Sequence, residues 1–162
     1  MKKLTLITVA LFAGFFTVNA QSSATASQVV TLTLKNSIDI EITAAPGTDF
    51  TFTSTDDYKN GLTNTNASTL RVKSNRPWAV TVASATANFN GPAVPSPVMP
   101  STVLGVRLNG GSSFKPVSTT ATSLNSGTRG ENDFNIDYNA NPGFIYDAGT
   151  YTISVVYTAT QQ

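Results

Sequence analysis

Hydrophobic and polar residues alternate with a period of two wherever the chain is regular, and that period marks strands. Val30, Leu32 and Leu34 alternate with Thr31, Thr33 and Lys35, then Ile38, Ile40 and Ile42 alternate with Asp39, Glu41 and Thr43. Phe50 and Phe52 lie between Thr51 and Thr53, and Leu70 and Val72 go with Arg71 and Lys73. Trp78, Val80 and Val82 share one parity, as do Phe134, Ile136 and Tyr138. Near the C-terminus, Tyr151, Ile153, Val155 and Tyr157 take one face, with Thr152, Ser154 and Thr158 on the other. These runs are short and rich in β-branched and aromatic residues, which suits half-buried strands. Pro46-Gly47, Asn60-Gly61, Asn109-Gly110-Gly111, Ser126-Gly127 and Asn141-Pro142-Gly143 separate them with turn chemistry. Asn60-Gly61 is a pair that opens tight hairpins. No stretch shows a helical stripe. The pattern predicts an all-β protein, an immunoglobulin-like or pilin-like β-sandwich of about seven to nine strands, with an all-β barrel as the alternative.

Two irregularities refine this. Asn36 falls on the inward parity of the run from Val30 to Ile42, where a continuous strand would bury its amide at a cost. A bend or bulge at Asn36-Ser37 would split the run, leaving Gln28 to Leu34 as a separate first strand. Further on, Pro92, Pro95, Pro97 and Pro100 lie close together, removing backbone donors and holding the chain extended. A stiff connection between the two sheets is expected there.

Residues 1–20 have the form of a secretory leader. Lys2 and Lys3 precede a nearly unbroken apolar run from Leu4 to Phe16, and Val18-Asn19-Ala20 supplies small residues before a cut. The run is shorter than the roughly 20 residues of a membrane span. Export follows, to the periplasm, the cell surface or the extracellular space, with no membrane insertion after cleavage. Residues 21–27 would form a flexible N-terminal lead and 28–162 a single β-sandwich domain. Beyond the leader 142 residues remain, with no histidine and no cysteine, so neither a disulfide nor a lipidated cysteine is available. Eight basic residues then face nine acidic ones. A near-neutral chain without a basic cluster is a poor partner for nucleic acid, whose phosphates dominate affinity.

The same composition narrows the chemistry. Serine and cysteine triads that need histidine or a thiol cannot be assembled, and zinc sites built on those residues are absent. Asp39 and Glu41 share a strand face about 7 Å apart, a spacing seen in glycosidases. They sit on a polar face that offers no desolvation, so no catalytic residue, cofactor or metal site is expected. Asp56-Asp57 and Glu131-Asn132-Asp133 read as solvated turn acids rather than calcium ligands. Trp78 shares parity with Val80 and Val82, which favours core packing with a bonded indole N–H. Tyr58, Phe144 and Tyr146 lie near turns and are the candidate ligand-contact aromatics, although Phe144-Ile145-Tyr146 is expected first to plug an end of the sandwich.

Resemblance adds a direction. Ala148-Gly149-Thr150-Tyr151-Thr152-Ile153-Ser154-Val155-Val156-Tyr157 resembles the closing strand of bacterial pilin-like and spore-coat-U-like domains. Trp78-Ala79-Val80 and Tyr157-Thr158-Ala159 are similar to, but depart from, the motif of the Trp-x-Leu cell-wall-binding domains. The start at Gln21-Ser22-Ser23-Ala24 and the strand from Val29 to Leu34 resemble small exported Bacteroidetes β-sandwich proteins. In pilin-like subunits, the resemblance implies, an N-terminal strand completes a neighbour's sheet. Val30, Leu32 and Leu34 are the strand-exchange candidates, filling successive pockets while main-chain pairing supplies affinity. The simpler and preferred expectation makes Gln28 to Leu34 the first strand of the domain's own sandwich. The expected function is a non-catalytic exported structural or adhesion protein, fimbria-like in role, which partners itself or other surface proteins. A cell-wall or glycan-binding module is the alternative.

Overall fold

The structure, a computed structural model, describes residues 22–92 and 97–162. The leader of residues 1–20 and the prolines' central stretch, 93–96, lie outside the described residues. Two units divide the chain between Thr33 and Leu34. In the first, residues 22–33 carry no helix or strand and are exposed.

Among the described residues, the second unit holds eight strands in two antiparallel sheets. They are β1 (Ile38–Ala44), β2 (Leu62–Ser74), β3 (Trp78–Ser84), β4 (Leu104–Leu108), β5 (Lys115–Pro116), β6 (Thr122–Gly127), β7 (Gly130–Ala140) and β8 (Val155–Gln161). One sheet has the order β1-β2-β7-β4-β5 and the other β6-β3-β8. Each presents one apolar face to a shared core, as alternation requires. Leu70, Val72, Val106 and Ile136 come from the first sheet, and Trp78, Val80, Val82 and Leu124 from the second. Two separate sheets replace the barrel alternative. β3 and β4 lie in different sheets, and the proline segment falls between them in the sequence.

Trp78 is 2% exposed, stacks on Phe134 with ring centres 5.9 Å apart, and donates its indole N–H to the Thr128 carbonyl at 2.9 Å. The sheets are also joined by a hydroxyl–hydroxyl bond between Tyr138 of β7 and Tyr157 of β8. Burial raises the pKa of both phenols, so the pair stays neutral.

Four expectations are corrected. Gln28 to Leu34 forms no strand; Val29, Val30, Leu32 and Leu34 are 91%, 75%, 83% and 89% exposed. Alternation records an ability to pair, not the partner, and the break expected at Asn36-Ser37 does separate this run from β1. Ser37 is pinned there, its N–H donating to Asn75 Oδ1 at 3.0 Å and its carbonyl accepting from Gln161 Nε2 at 2.8 Å. Asn60-Gly61 opens no hairpin, because it ends a short helix, α1 (Thr55–Asn60), with Gly61 at φ 74°. Asp56-Asp57 therefore lies in a helical first turn, not a loop. Ser54 Oγ accepts from the Asp57 N–H at 3.2 Å and the Asp57 carboxylate accepts from the Ser54 N–H at 2.8 Å. That reciprocal cap stabilises a helix too short to show periodicity. Finally, Phe50 and Phe52 belong to no strand, yet both pack half-buried against the core.

Candidate functional site

Four strand edges end the two sheets: β1, β5, β6 and β8. Edges invite pairing unless charge, proline, brevity or a bulge blunts them. β1 carries Asp39 and Glu41, β5 has two residues including Pro116, and the β3–β6 ladder is irregular between Val80 and Thr81. β8 has none of these guards: Val155-Val156-Tyr157-Thr158-Ala159-Thr160-Gln161 holds no charge and no proline and pairs with β3 in unbroken register. Its inward residues Val155, Tyr157 and Ala159, with Ile153 just before them, pack against the core yet are only half-buried. Ile38 and Ile40 of β1, which runs near β8 at the same rim, are also half-buried. The sandwich is thus open along one side. Val30, Leu32 and Leu34, the strand-exchange candidates, present the complementary feature: an apolar alternation outside any sheet.

The candidate ligand-contact aromatics come together at one cleft. Tyr58, Phe144 and Tyr146 line an open depression of about 340 Å³, with Thr53, Ser54 and Thr55 completing its wall. The rings form a series, Phe52 to Tyr58 at 5.3 Å and Tyr58 to Phe144 at 5.6 Å, the second pair stacked within 28°. The expectation that Phe144-Ile145-Tyr146 plugs the sandwich fails for its first two members, since Phe144 is 64% and Ile145 66% exposed. Gly143, at φ 65°, turns the loop outward through a conformation that other residues resist. A Cβ there would meet nothing within 4 Å, so it is the backbone angle that calls for glycine. The facing wall is held by Asp57, whose carboxylate accepts from the Thr53 N–H at 2.8 Å, the Ser54 N–H and the Thr53 hydroxyl at 3.2 Å. The bond from the Thr53 N–H, followed by those from Ser54, holds the Asp57 carboxyl below its ordinary pKa. The Ser54-x-x-Asp57 spacing was the sequence signal for this wall.

Asp39 and Glu41 face outward on β1. Glu41 belongs to a charge ladder: Lys73 Nζ donates to Glu41 at 3.0 Å, and Arg71 forks onto Asp133 at 2.7 and 2.8 Å. The Arg71 bond lowers the Asp133 pKa, and the Glu41 bond raises that of Lys73. The fork from Arg71 keeps the Asp133 carboxylate ionised and acceptor-only, unlike a glycosidase acid. Glu131 also lies on this face, 3.1 Å from Arg71. Among the described residues, no three of His, Cys, Asp and Glu gather as a metal set.

One polar site escaped the alternation pattern. Asp137 is fully buried, though it lies on the outward parity of β7. Its Oδ1 accepts from the Asn66 N–H at 2.9 Å and Asn109 Nδ2 at 2.8 Å, and its Oδ2 from Arg107 Nε at 2.9 Å. Arg107 in turn lies over the Phe114 ring, 4.2 Å from its centre. Asn66, at φ 51°, sits in an irregularity where four residue steps of β2, Asn64 to Ser68, oppose two of β7. The two added residues preserve parity, so Leu62 and Leu70 keep the same face, and Asp137 bonds the bulged backbone.

No protein-family model matches the chain, and no curated protein matches it. Among solved structures, a chain of a chaperone-usher pilus, from work on rod uncoiling, is similar at 12% identity and a TM-score of 0.46, over 88% of this chain and 97% of that one.

Proposed function

We propose that this protein is a non-catalytic, exported, fimbria-like structural subunit that assembles by lending residues 28–34 to the β8 edge of another copy. The observation that carries the reading is the pairing of two incomplete features in one chain. Three alternating apolar side chains stand exposed outside both sheets, and one strand edge lacks every usual guard over a half-buried rim. An added strand would satisfy the free backbone groups of β8. Val30, Leu32 and Leu34 would cover Ile153, Val155, Tyr157 and Ala159, matching the two-residue period of both segments. The leader-like residues 1–20 support export.

Light scattering after size exclusion tests this on three forms: the chain from Gln21, the chain from Asn36, and Leu32→Glu. Replacing Leu32 forfeits about 2–3 kcal/mol of burial and adds a desolvated charge, weakening association by more than about 100-fold. The full chain should form concentration-dependent oligomers, and both variants should be folded monomers. A monomeric full chain at about 100 µM, or oligomers that persist in Leu32→Glu, would overturn the reading.

A further inference from the structure

We propose that the cleft between α1 and the 143–146 loop is a binding site for a neutral saccharide, stacked on Phe144 and Tyr58 and hydrogen-bonded by the hydroxyls around them. This goes beyond the assembly reading and shares no residue with it.

Three features define the ligand. The first is the aromatic series. Phe52 is anchored against the core, Tyr58 packs against it with the rings tilted by 44°, and Phe144 stacks on Tyr58 with most of its surface still in water. An exposed ring at the end of an ordered stack offers a flat apolar platform at little entropic cost. The second is the charge of the lining. Thr53, Ser54, Thr55, Tyr58, Phe144 and Tyr146 are all uncharged. The Asp57 carboxylate behind this wall is already bonded to Thr53 and Ser54. Among the described residues, no lysine or arginine lines the cleft to neutralise a phosphate, which disfavours a nucleotide despite the stacking surface. The third is unspent hydrogen bonding. The hydroxyls of Thr55, Tyr58 and Tyr146 have no partner among the described residues. Each can donate and accept, as a polyol requires.

A hexopyranose matches all three, with an apolar C–H face bounded by hydroxyls and no charge. The cleft volume falls at the lower end of small-ligand sites, enough for one or two rings. Preorganisation is supplied on both walls: the Asp57 cap fixes Thr53 and Ser54, and Gly143 fixes the outward turn that presents Phe144. A β-linked pyranoside keeps its aglycone equatorial and leaves a C–H face clear for stacking, so the proposal commits to that class.

Saturation-transfer NMR on the chain from Gln21 tests it, with methyl β-D-glucopyranoside, methyl β-D-galactopyranoside and methyl N-acetyl-β-D-glucosaminide as probes, each at about 5 mM. Transfer to ring C–H protons is expected for at least one. Phe144→Ala should weaken binding roughly tenfold, and Tyr58→Phe, which keeps the ring and loses the hydroxyl, roughly threefold. Phe144 is exposed, so its removal should leave the fold intact, and Trp78 fluorescence reports whether it does. Leu32→Glu should bind as the parent does, separating this site from assembly. No transfer to any probe up to about 20 mM, or affinity unchanged by Phe144→Ala, would overturn the proposal.

Discussion

Removing the Asp137 carboxylate should be among the most damaging single changes to this fold. The side chain has no solvent exposure and accepts three hydrogen bonds, from Asn66, Asn109 and Arg107. Asp137→Ala leaves all three donors facing a void. Breaking a buried ion pair from one side costs about 3–5 kcal/mol. Arg107 keeps 23% of its side-chain exposure, so water recovers part of its share and places the expected loss near about 3 kcal/mol. Asp137→Asn preserves volume and can still accept from Asn66 and Asn109, but turns an amide donor toward Arg107 Nε, for about 2 kcal/mol. The pH dependence has a definite sign. Burial pushes the Asp137 carboxyl pKa up, yet the bonds from Asn109, Asn66 and Arg107, with the Arg107 charge, together hold it below its ordinary value. The folded state therefore binds this proton less readily than the unfolded chain. The carboxylate's contribution is complete above about pH 4 and fades as pH falls through the lower folded value. Urea unfolding followed by Trp78, the sole tryptophan and 2% exposed, measures this at pH 7 and pH 3. The gap between the parent and Asp137→Asn should narrow at the lower pH. A loss under about 1 kcal/mol for Asp137→Ala at pH 7, or a gap independent of pH, would refute the reasoning.

Two further predictions concern the core. A Cβ at Gly127 would lie 2.4 Å from Trp78 Cζ2, and that indole is held by its bond to Thr128 and by Phe134, so Gly127→Ala should cost about 1–3 kcal/mol; thermal unfolding with no drop in midpoint would contradict this. Tyr138→Phe should destabilise by about 1–2 kcal/mol by orphaning the Tyr157 hydroxyl, whereas Tyr138→Phe/Tyr157→Phe should recover most of that loss. Additive single-variant costs in a urea-melt cycle would show that the cross-sheet bond contributes nothing.

Much of the architecture was legible in the alternation. β1, β3 and the core half of β7 follow the runs Ile38 to Ile42, Trp78 to Val82 and Phe134 to Tyr138. Trp78 falls in the core as its parity required. β4, β5 and β6 were not picked out, since Leu104 to Leu108 is short and Thr122 to Gly127 is polar enough to read as a loop. Helix α1 has one turn and a half, too short for a stripe, and its signal was the cap Ser54-x-x-Asp57. The candidate aromatics were legible by type and by nearness to turns. Their meeting at one cleft was not, because Tyr58 and Phe144 are separated by most of the sheet-forming chain.

What the sequence by itself determined is the local chemistry: period-two strands, turn positions, a core tryptophan, and the lack of any histidine or thiol. Each is written within a few neighbouring residues, where backbone sterics and side-chain parity act. The tertiary structure decided which strands pair, and so which edge is left open. It also left Gln28 to Leu34 outside any strand among the described residues, and it fully buried an outward-parity aspartate. These outcomes depend on long-range pairing: the β2 bulge, the 109–114 loop and the order of strands bring distant residues together, and no local periodicity encodes that choice.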